Sequence, residues 1–259
     1  METARAARAA KPAAPTVRVW VNRLLAVVLL PSALAAVALV SRASPESGAA
    51  LARRFVSALA RACGVRFVPQ GLSAGSAPRT VMVANHSSPL DIAALLDVVP
   101  DVRFLAAADL FRVPLLAAAM RGVGTIPIER RHRHTARRQL DAIVEALGPL
   151  RRFLLAVFPE GGIPPAGERL PFKAGAFELA IRLRAEVLPV AIHGTATVLP
   201  PKGRLGVRPG TVRVELLPAI PTDGLTLDDL DVLRNTAERA VLGALDAGGG
   251  GQVGPPTDR

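Results

Sequence analysis

Short apolar runs alternate with longer segments of helical periodicity over most of the chain. The runs begin at Val65 and are VRFV, TVMVAN, VRFLAA, GTIPI, FLLAVFP, VLPVAIHG and TVRVELL. Runs of this kind are typical of strands buried on both faces, which need helical crossover connections. We expect helices between them, near residues 89–98, 110–120, 134–147, 172–184 and 226–246. The alternation therefore predicts an α/β fold, with a mostly parallel central sheet flanked by helices.

The chain has 259 residues, half of them apolar, which is enough for one substantial core and one active site. We expect a disordered basic N-terminus over residues 1–16 and a membrane-associated helical hairpin over residues 17–62. The α/β domain then covers residues 63–246. The glycine-rich residues 247–259 are predicted to be a flexible tail.

The formal net charge of +11 favours acidic partners, such as phosphates, anionic lipid or an acidic carrier protein. Nucleic acid is not expected, because the chain has no Tyr and a single Trp and so offers no stacking platform. A basic protein that faces a membrane fits the composition better. The single cysteine, Cys63, has no partner for an intramolecular disulfide.

Residues 24–40 form an apolar segment that would be about 25 Å long as a helix, which is short for a clean membrane span. Pro31 and Ser32 near its middle predict a kink or a break, so a re-entrant or interfacial hairpin competes with a single crossing. A buried core helix and a cleaved signal peptide are further alternatives.

The segment after it, residues 48–67, is amphipathic as a helix. One face carries apolar side chains and the arginines lie elsewhere: Leu51, Phe55, Leu59 and Ala62 against Arg53, Arg54 and Arg61. This pattern predicts a helix that lies on the membrane surface.

The stretch NHSSPLD, residues 85–91, ends one apolar run and begins the next helix. Ser88 and Asp91 suit the N-cap and N3 positions of that helix, with Pro89 between them at N1. A capping role alone explains the carboxylate but leaves His86 unexplained. His86 is expected at the C-terminal end of a strand, where open α/β sheets bind ligands, and Asp91 is near enough in sequence to hold its ring. A histidine held in this way is a candidate general base.

NHSSPLD resembles the first motif of the glycerolipid acyltransferase superfamily, which includes lysophosphatidic acid acyltransferases. Four later segments resemble the following motifs in the correct order: GTIPIERR, FPEGG, PFKAGAFELA and VLPVAIHGT. The resemblance spans roughly residues 65–195. It implies acyl transfer from acyl-CoA or acyl-carrier protein to the free hydroxyl of a lysophospholipid, with 1-acylglycerol-3-phosphate as the first candidate.

The resemblance also implies roles for individual residues. His86 would be the general base and Asp91 would orient it, so no serine nucleophile and no bound cofactor or metal would be needed. The substrate-binding positions would be Asn85, Gly124, Arg130, Glu160, Gly161 and Lys173. The enzyme would act at a lipid membrane, with the catalytic domain on the cytoplasmic face.

One motif departs from the family pattern. Its glycine is usually followed by threonine, arginine and serine, whereas here Gly161 is followed by Gly162, Ile163 and Pro164. The arginine that would bind a phosphate is missing from its place. Either Arg169 replaces it from further along the loop, or the acceptor is another lysolipid or an amino-acid lipid.

Two other kinds of protein remain open. GLSAG, residues 71–75, matches the serine-hydrolase pattern G-x-S-x-G, which would make Ser73 the nucleophile of a lipid esterase. That motif needs a helix immediately after it, and here a loop and another strand follow. The second is a non-catalytic, basic membrane-binding protein. The remaining histidines, His132, His134 and His193, lack the spacing with carboxylates that marks a zinc site.

Overall fold

All seven predicted strands form, and they build a single sheet. The structure, a computed structural model, describes residues 17–71, 77–129, 133–165, 168–201 and 206–249. The strands are β1 (Val65–Gly71), β2 (Arg79–Ala84), β3 (Arg103–Ala107), β4 (Ile126–Ile128), β5 (Phe153–Val157), β6 (Glu186–His193) and β7 (Gly210–Leu216).

Eight α-helices accompany the sheet in the described part of the chain. They are α1 (Val17–Ala43), α2 (Pro45–Ala62), α3 (Leu90–Val98), α4 (Pro114–Gly122), α5 (Arg133–Leu147), α6 (Gly175–Leu183), α7 (Thr195–Val198) and α8 (Leu230–Gly249). Two 3₁₀ helices, Ala108–Arg112 and Leu227–Asp229, precede α4 and α8. The sequence did not predict the short helix α7.

The strand order is β1-β7-β6-β2-β5-β3-β4, with β2 at the centre. Strands β2 to β6 all run in one direction, which confirms the mostly parallel sheet. The last two differ, because β7 is antiparallel to β6 and β1 is parallel to β7. The reversed pair was not predicted, since an apolar run indicates a buried strand but not its direction.

We call the edge at which β2 to β6 end the carboxyl edge, and the opposite one the amino edge. The registers Val83↔Val157 and Phe104↔Ala156 bring the ends of β2, β5 and β3 to one level. Because β1 and β7 run the other way, they begin at the carboxyl edge.

Two apolar layers cover the two faces of the sheet. Helices α5, α6 and α8 pack on one face around Phe177, Leu179 and Val241. On the other face α3 and the end of α2 pack around Leu95, Met82 and Ile192. With both faces covered, polar side chains that follow the strands are directed to the edges of the sheet.

Helix α1 runs unbroken through Pro31, so the break that the sequence suggested does not occur. Residues 27–32 are exposed, so the carbonyl of Val27, which loses its helical donor at Pro31, is not buried without a partner. Both ends of the helix contact the domain. Asn22 Nδ2 donates to the carbonyls of Cys63 and Val207 at 2.9 and 3.0 Å, and Ser41 packs against Gly48 and Gly122.

The C-terminal end of α2 packs on the domain, and contact of this helix with a membrane stays a prediction. Leu59 packs against the core beside β1, and Ser57 Oγ donates to the carboxylate of Asp97 in α3. The alternation of apolar residues predicted the helix correctly, but it does not distinguish lipid from a protein core.

The chain does not leave the fold at residue 247, where the flexible tail was predicted to begin. Helix α8 continues to Gly249, and a Cβ at Gly248 would overlap His193 and Arg213. The glycines allow this close approach. Residues 250–259 and 1–16 lie outside the described part of the chain.

Candidate active site

The NHSSPLD stretch forms the turn from β2 into α3 at the carboxyl edge. Ser88 Oγ accepts the backbone N–H of Leu90 at 3.1 Å, and the Asp91 carboxylate accepts the backbone N–H of Ser88 at 2.8 Å. These reciprocal bonds form the predicted capping arrangement, although regular helix begins only at Leu90. The turn is therefore fixed by its own side chains.

Asp91 and His86 form a direct pair. Asp91 Oδ2 lies 2.8 Å from His86 Nδ1, and it also accepts the backbone N–H groups of Ser87 and Ser88 at 2.7 and 2.8 Å. Asp91 is fully buried. Because a carboxylate oxygen that is already bonded to N–H groups acts as an acceptor, Nδ1 of His86 carries the proton in this pair.

A second contact, with an aromatic ring, holds the imidazole of His86. The imidazole stacks on Phe158, with ring centroids 4.1 Å apart and an interplanar angle of 17°. The side chain is 13% exposed. No described residue bonds Nε2, so the lone pair of this nitrogen is free.

Glu160 is buried and bonds the backbone of the site. Its Oε1 accepts the backbone N–H of His86 at 2.8 Å, and the carboxylate also accepts the backbone N–H of Leu170. Burial raises the pKa of the Glu160 carboxyl, and the two backbone N–H groups oppose that rise. Glu160 thus ties the end of β5 to the histidine turn and to the 168–171 loop.

Lys173 lies beside Gly161. A Cβ at Gly161 would overlap the ammonium group of Lys173, and Gly161 has a φ of +78°, which also favours glycine. The backbone N–H of Lys173 donates to the carbonyl of Pro159 at 2.9 Å. The structure therefore brings Glu160, Gly161 and Lys173 together next to His86, and nothing lies within 4 Å of a Cβ built on Gly162.

Asn85 is placed in the site by its backbone only. Its side-chain amide donates to the carbonyl of Ile192 at 3.0 Å and accepts the backbone N–H of Ile192 at 2.7 Å. Asn85 is buried, and its amide extends the pairing of β2 with β6 by one step. These bonds assign Asn85 to the geometry of the turn.

Thr195 was missed by the sequence reasoning. Its hydroxyl lies 2.9 Å from the hydroxyl of Ser87, and Thr195 is fully buried. Ser88 Oγ donates to the carbonyl of Leu199 at 2.6 Å. Thr195 begins helix α7 and Leu199 directly follows it, so this helix holds the histidine turn from the side of β6. A threonine after a glycine turn carries no pattern that separates this role from ordinary packing.

Two predicted binding residues are not brought to His86. Gly124 lies before β4, in the turn that follows α4, and therefore belongs to the amino-edge side of that short strand. Its φ of +74° explains the glycine. Arg169, the candidate replacement for the missing arginine, instead pairs with Asp246 of α8 at 2.7 Å. Arg130 and Ser73 lie outside the described residues.

His193 also ends a strand at the carboxyl edge. Its Nε2 lies 3.1 Å from a carboxylate oxygen of Glu215, and Gly248 of α8 packs on the ring. Burial, followed by the nearby Arg213, lowers the pKa of His193. Among the described residues, no three His, Cys, Asp or Glu side chains are grouped as metal ligands are.

The family model for acyltransferases matches residues 52–193, which is more than half of the chain and contains the whole histidine turn. The chain belongs to the acyltransferase family. The resemblance inferred from the motifs is thereby confirmed.

Curated relatives in this acyltransferase family carry a specific name. The chain is 30% identical over 167 residues to mouse 1-acyl-sn-glycerol-3-phosphate acyltransferase alpha, which covers 62% of this chain and 57% of the relative. It is 34% identical over 164 residues to the human beta enzyme, covering 62% and 58%. The chain therefore spans somewhat more than half the length of these relatives.

A solved structure shares the fold. The chain is similar to the 1-acyl-sn-glycerophosphate (LPA) acyltransferase PlsC from Thermotoga maritima, with a TM-score of 0.69 and 23% identity. The match covers 89% of this chain and 97% of that one. Because it extends well beyond the region matched by the family model, the acyltransferase fold here includes helices outside that region.

Proposed function

We propose that the protein transfers a fatty acyl group from a thioester donor to the free hydroxyl of 1-acylglycerol-3-phosphate, which gives phosphatidic acid. The observation that carries this proposal is the His86–Asp91 pair, 2.8 Å apart, at the carboxyl edge of a family acyltransferase fold. The names of the relatives, which act on 1-acylglycerol-3-phosphate, supply the acceptor.

The chemistry follows from the free nitrogen of the ring. Asp91 holds Nδ1–H, so Nε2 presents its lone pair to the acceptor hydroxyl and takes its proton. The hydroxyl oxygen attacks the thioester carbonyl carbon as that proton leaves. The buried carboxylate stabilises the imidazolium that forms, and stacking on Phe158 keeps the ring in place.

The second half of the reaction returns the proton. The tetrahedral intermediate collapses with cleavage of the carbon–sulfur bond, and Nε2–H protonates the leaving thiolate. An ester and a free thiol result, and His86 is neutral again. No serine takes part as a nucleophile, which fits the two hydroxyls of the turn: Ser87 pairs with Thr195 and Ser88 donates to Leu199.

The acceptor phosphate needs a cation near this turn. Lys173 supplies one among the described residues, since its ammonium lies over Gly161, next to Glu160. Arg130 follows β4 by two residues in the sequence, and we propose it as a second contact. The acyl donor is acyl-CoA or acyl-carrier protein, both acidic, and the net charge of +11 favours either.

We also propose that α1 attaches the protein to one leaflet of a membrane, with the catalytic domain on the cytoplasmic face. It is long and apolar enough to cross a bilayer, but Asn22 and Ser41 near its two ends both pack on the domain. A helix tied at both ends lies along the domain. Its outer side chains, including Val21, Leu24 and Val28, are at least half exposed.

An acceptor panel tests the function. Purified protein is given labelled acyl-CoA and, separately, labelled acyl-carrier protein, with 1-acylglycerol-3-phosphate, other lysophospholipids, an amino-acid lysolipid and water as acceptors. The expected result is phosphatidic acid as the main product. Preference for a phosphate-free acceptor would overturn the acceptor assignment, and release of free fatty acid alone would favour an esterase.

Attachment is tested in the full chain. Leu24→Asp with Val28→Asp is expected to move the protein from the membrane to the soluble fraction while turnover on a short-chain, water-soluble acceptor stays unchanged. Loss of turnover on both acceptors would indicate that α1 serves the fold instead.

A further inference from the structure

An exposed apolar segment lies at the carboxyl edge, on the other side of β2 from the amino-terminal half of α1. Residues 110–115, of sequence LFRVPL, connect β3 to α4. Leu110, Val113 and Leu115 are 42%, 53% and 36% exposed. Exposed apolar side chains are common singly, but several of them close together in sequence at the rim of a site indicate a partner.

The polar groups in this segment leave its apolar surface free. Arg112, with 81% of its side chain exposed, pairs with Asp109 at 3.6 Å. The guanidinium of Arg121 lies 5.4 Å from the ring of Phe111. Arginines beside apolar side chains are typical of a surface that meets lipid headgroups, because the stems can enter the apolar layer while the charges stay at phosphates.

The position of the segment matters as much as its composition. By strand register, Ala107 at the end of β3 lies level with Pro159 and Asn85, so residues 110–115 begin at the level of His86. The exposed amino-terminal half of α1 is at the same edge, since Asn22 bonds the carbonyl of Cys63 just before β1. In the strand order, β1 and β3 lie on opposite sides of β2.

Two apolar surfaces therefore flank the histidine turn from either side of the sheet. A bilayer is flat and extended, so it can cover both surfaces at once. A second copy of the chain fits poorly, because a stable interface needs roughly 20–30 residues from each partner and this segment offers six.

We propose that residues 110–115 are a second membrane-contact surface, which together with α1 presses the carboxyl edge onto the bilayer. The inference rests on the proposed action on a lipid acceptor and goes beyond it by naming a contact in addition to α1. Tethering by α1 alone would leave the domain free to tilt. Two contacts fix its orientation, and His86 then faces the membrane.

The test uses two exposed valines at opposite edges of the sheet. Val113 is 53% exposed, and Val232 at the start of α8 is 69% exposed at the amino edge. Full-length Val113→Asp and Val232→Asp variants are compared with the parent in binding to vesicles of phosphatidylglycerol and phosphatidylcholine. We expect about a tenfold loss of vesicle affinity for Val113→Asp, as for the loss of one buried valine, and none for Val232→Asp.

A second measurement reports contact directly. In a Trp20→Phe background, Val113→Trp and Val232→Trp each give one fluorophore, and vesicles that contain brominated lipid are expected to quench the first only. Turnover on a short-chain, water-soluble acceptor should be unchanged in every variant, which shows that the fold is intact.

Each other outcome overturns the proposal in a distinct way. Equal vesicle binding by the two Asp variants, or equal quenching at both positions, removes the second contact and leaves attachment by α1 in place. A fall in the solution mass of Val113→Asp without vesicles would assign the segment to self-association. If the parent itself does not bind vesicles, the membrane attachment fails as well.

Discussion

Buried charged side chains at the two edges of the sheet bond opposite kinds of backbone group. At the carboxyl edge the buried carboxylates of Asp91 and Glu160 accept backbone N–H groups. At the amino edge the guanidinium of Arg79 donates to three backbone carbonyls, those of Gly148, Leu150 and Leu183, at 2.9 to 3.1 Å. Helices α3 to α6, which connect the parallel strands β2 to β6, begin at the first edge and end at the second, so their free N–H groups collect at one edge and their free carbonyls at the other.

The difference indicates at which edge we expect the catalytic groups. All three nitrogens of Arg79 are bonded to the ends of α5 and α6 and to the loop after α5, so this side chain serves the fold. At the carboxyl edge the backbone N–H groups fix a carboxylate, the carboxylate fixes a histidine, and one ring nitrogen remains free. Function and stability should therefore separate between the edges.

The largest expected effect is at the carboxyl edge. His86→Ala should lower turnover by roughly 10²–10⁴-fold through loss of the general base, with an unchanged melting temperature. Asp91→Asn should also lower turnover strongly while it keeps part of the cap. Steady-state rates and thermal melts check both. Normal turnover in His86→Ala would contradict the mechanism.

The opposite pattern is expected at the amino edge. Arg79→Met should reduce the free energy of unfolding by about 2–4 kcal/mol, because three carbonyl acceptors lose a charged donor. Turnover of the folded fraction should stay at the parental value. Urea unfolding and kinetics at low temperature measure the two quantities. Arg66→Met, an exposed arginine on β1, is the matched control, and an equal loss of stability there would refute the role of Arg79.

A third prediction compares the two cations that were candidates for the acceptor phosphate. Lys173→Ala should raise the Michaelis constant for 1-acylglycerol-3-phosphate by roughly 10- to 100-fold, as expected for one charge-assisted contact, and leave that of the acyl donor unchanged. Arg169→Ala should change neither constant, since Arg169 is paired with Asp246. The reverse result would mean that Arg169 leaves Asp246 when the acceptor binds.

The smallest effect tests the contact between α7 and the histidine turn. Thr195→Val should lower turnover by about three- to tenfold through loss of the hydrogen bond to Ser87, and Thr195→Ser should restore it. Thr197→Val, at an exposed threonine of the same helix, is the control. If Thr195→Val and the parent have equal melting temperatures, the lower turnover reflects positioning of the turn and not loss of stability. Low turnover in Thr195→Ser would instead assign Thr195 to packing.

Much of the carboxyl edge could be predicted from the sequence, because its signals are local. The apolar runs marked the strands, and the Ser88 to Asp91 spacing marked the cap and the pairing with His86. Contacts between distant segments gave no such signal. The roles of Thr195 toward Ser87 and of Asn85 toward Ile192 depend on β2 lying beside β6, and the pairing of Arg169 depends on where α8 passes.

The contacts of Arg79 at the amino edge could not be predicted from the sequence, for a related reason. Nothing in the sequence around an arginine at the start of a strand indicates that it will bond three backbone carbonyls. Those carbonyls belong to the segments that follow α5 and end α6, far along the chain. Gly124 is a different case: a matching motif indicated substrate binding, which stays a prediction, and the structure shows that this glycine also has a positive φ in a turn.

The pairing of β1 with β7 sets an order of events during synthesis. β1 follows directly after the helical pair α1 and α2, yet its partner begins only at Gly210, and Val207 supplies one of the two carbonyls that hold Asn22. Until the ribosome has made these residues, α1 has no complete docking surface on its own domain. The nascent chain therefore carries an incompletely docked apolar helix for most of translation, and we expect this helix to reach the membrane before it docks fully on the domain.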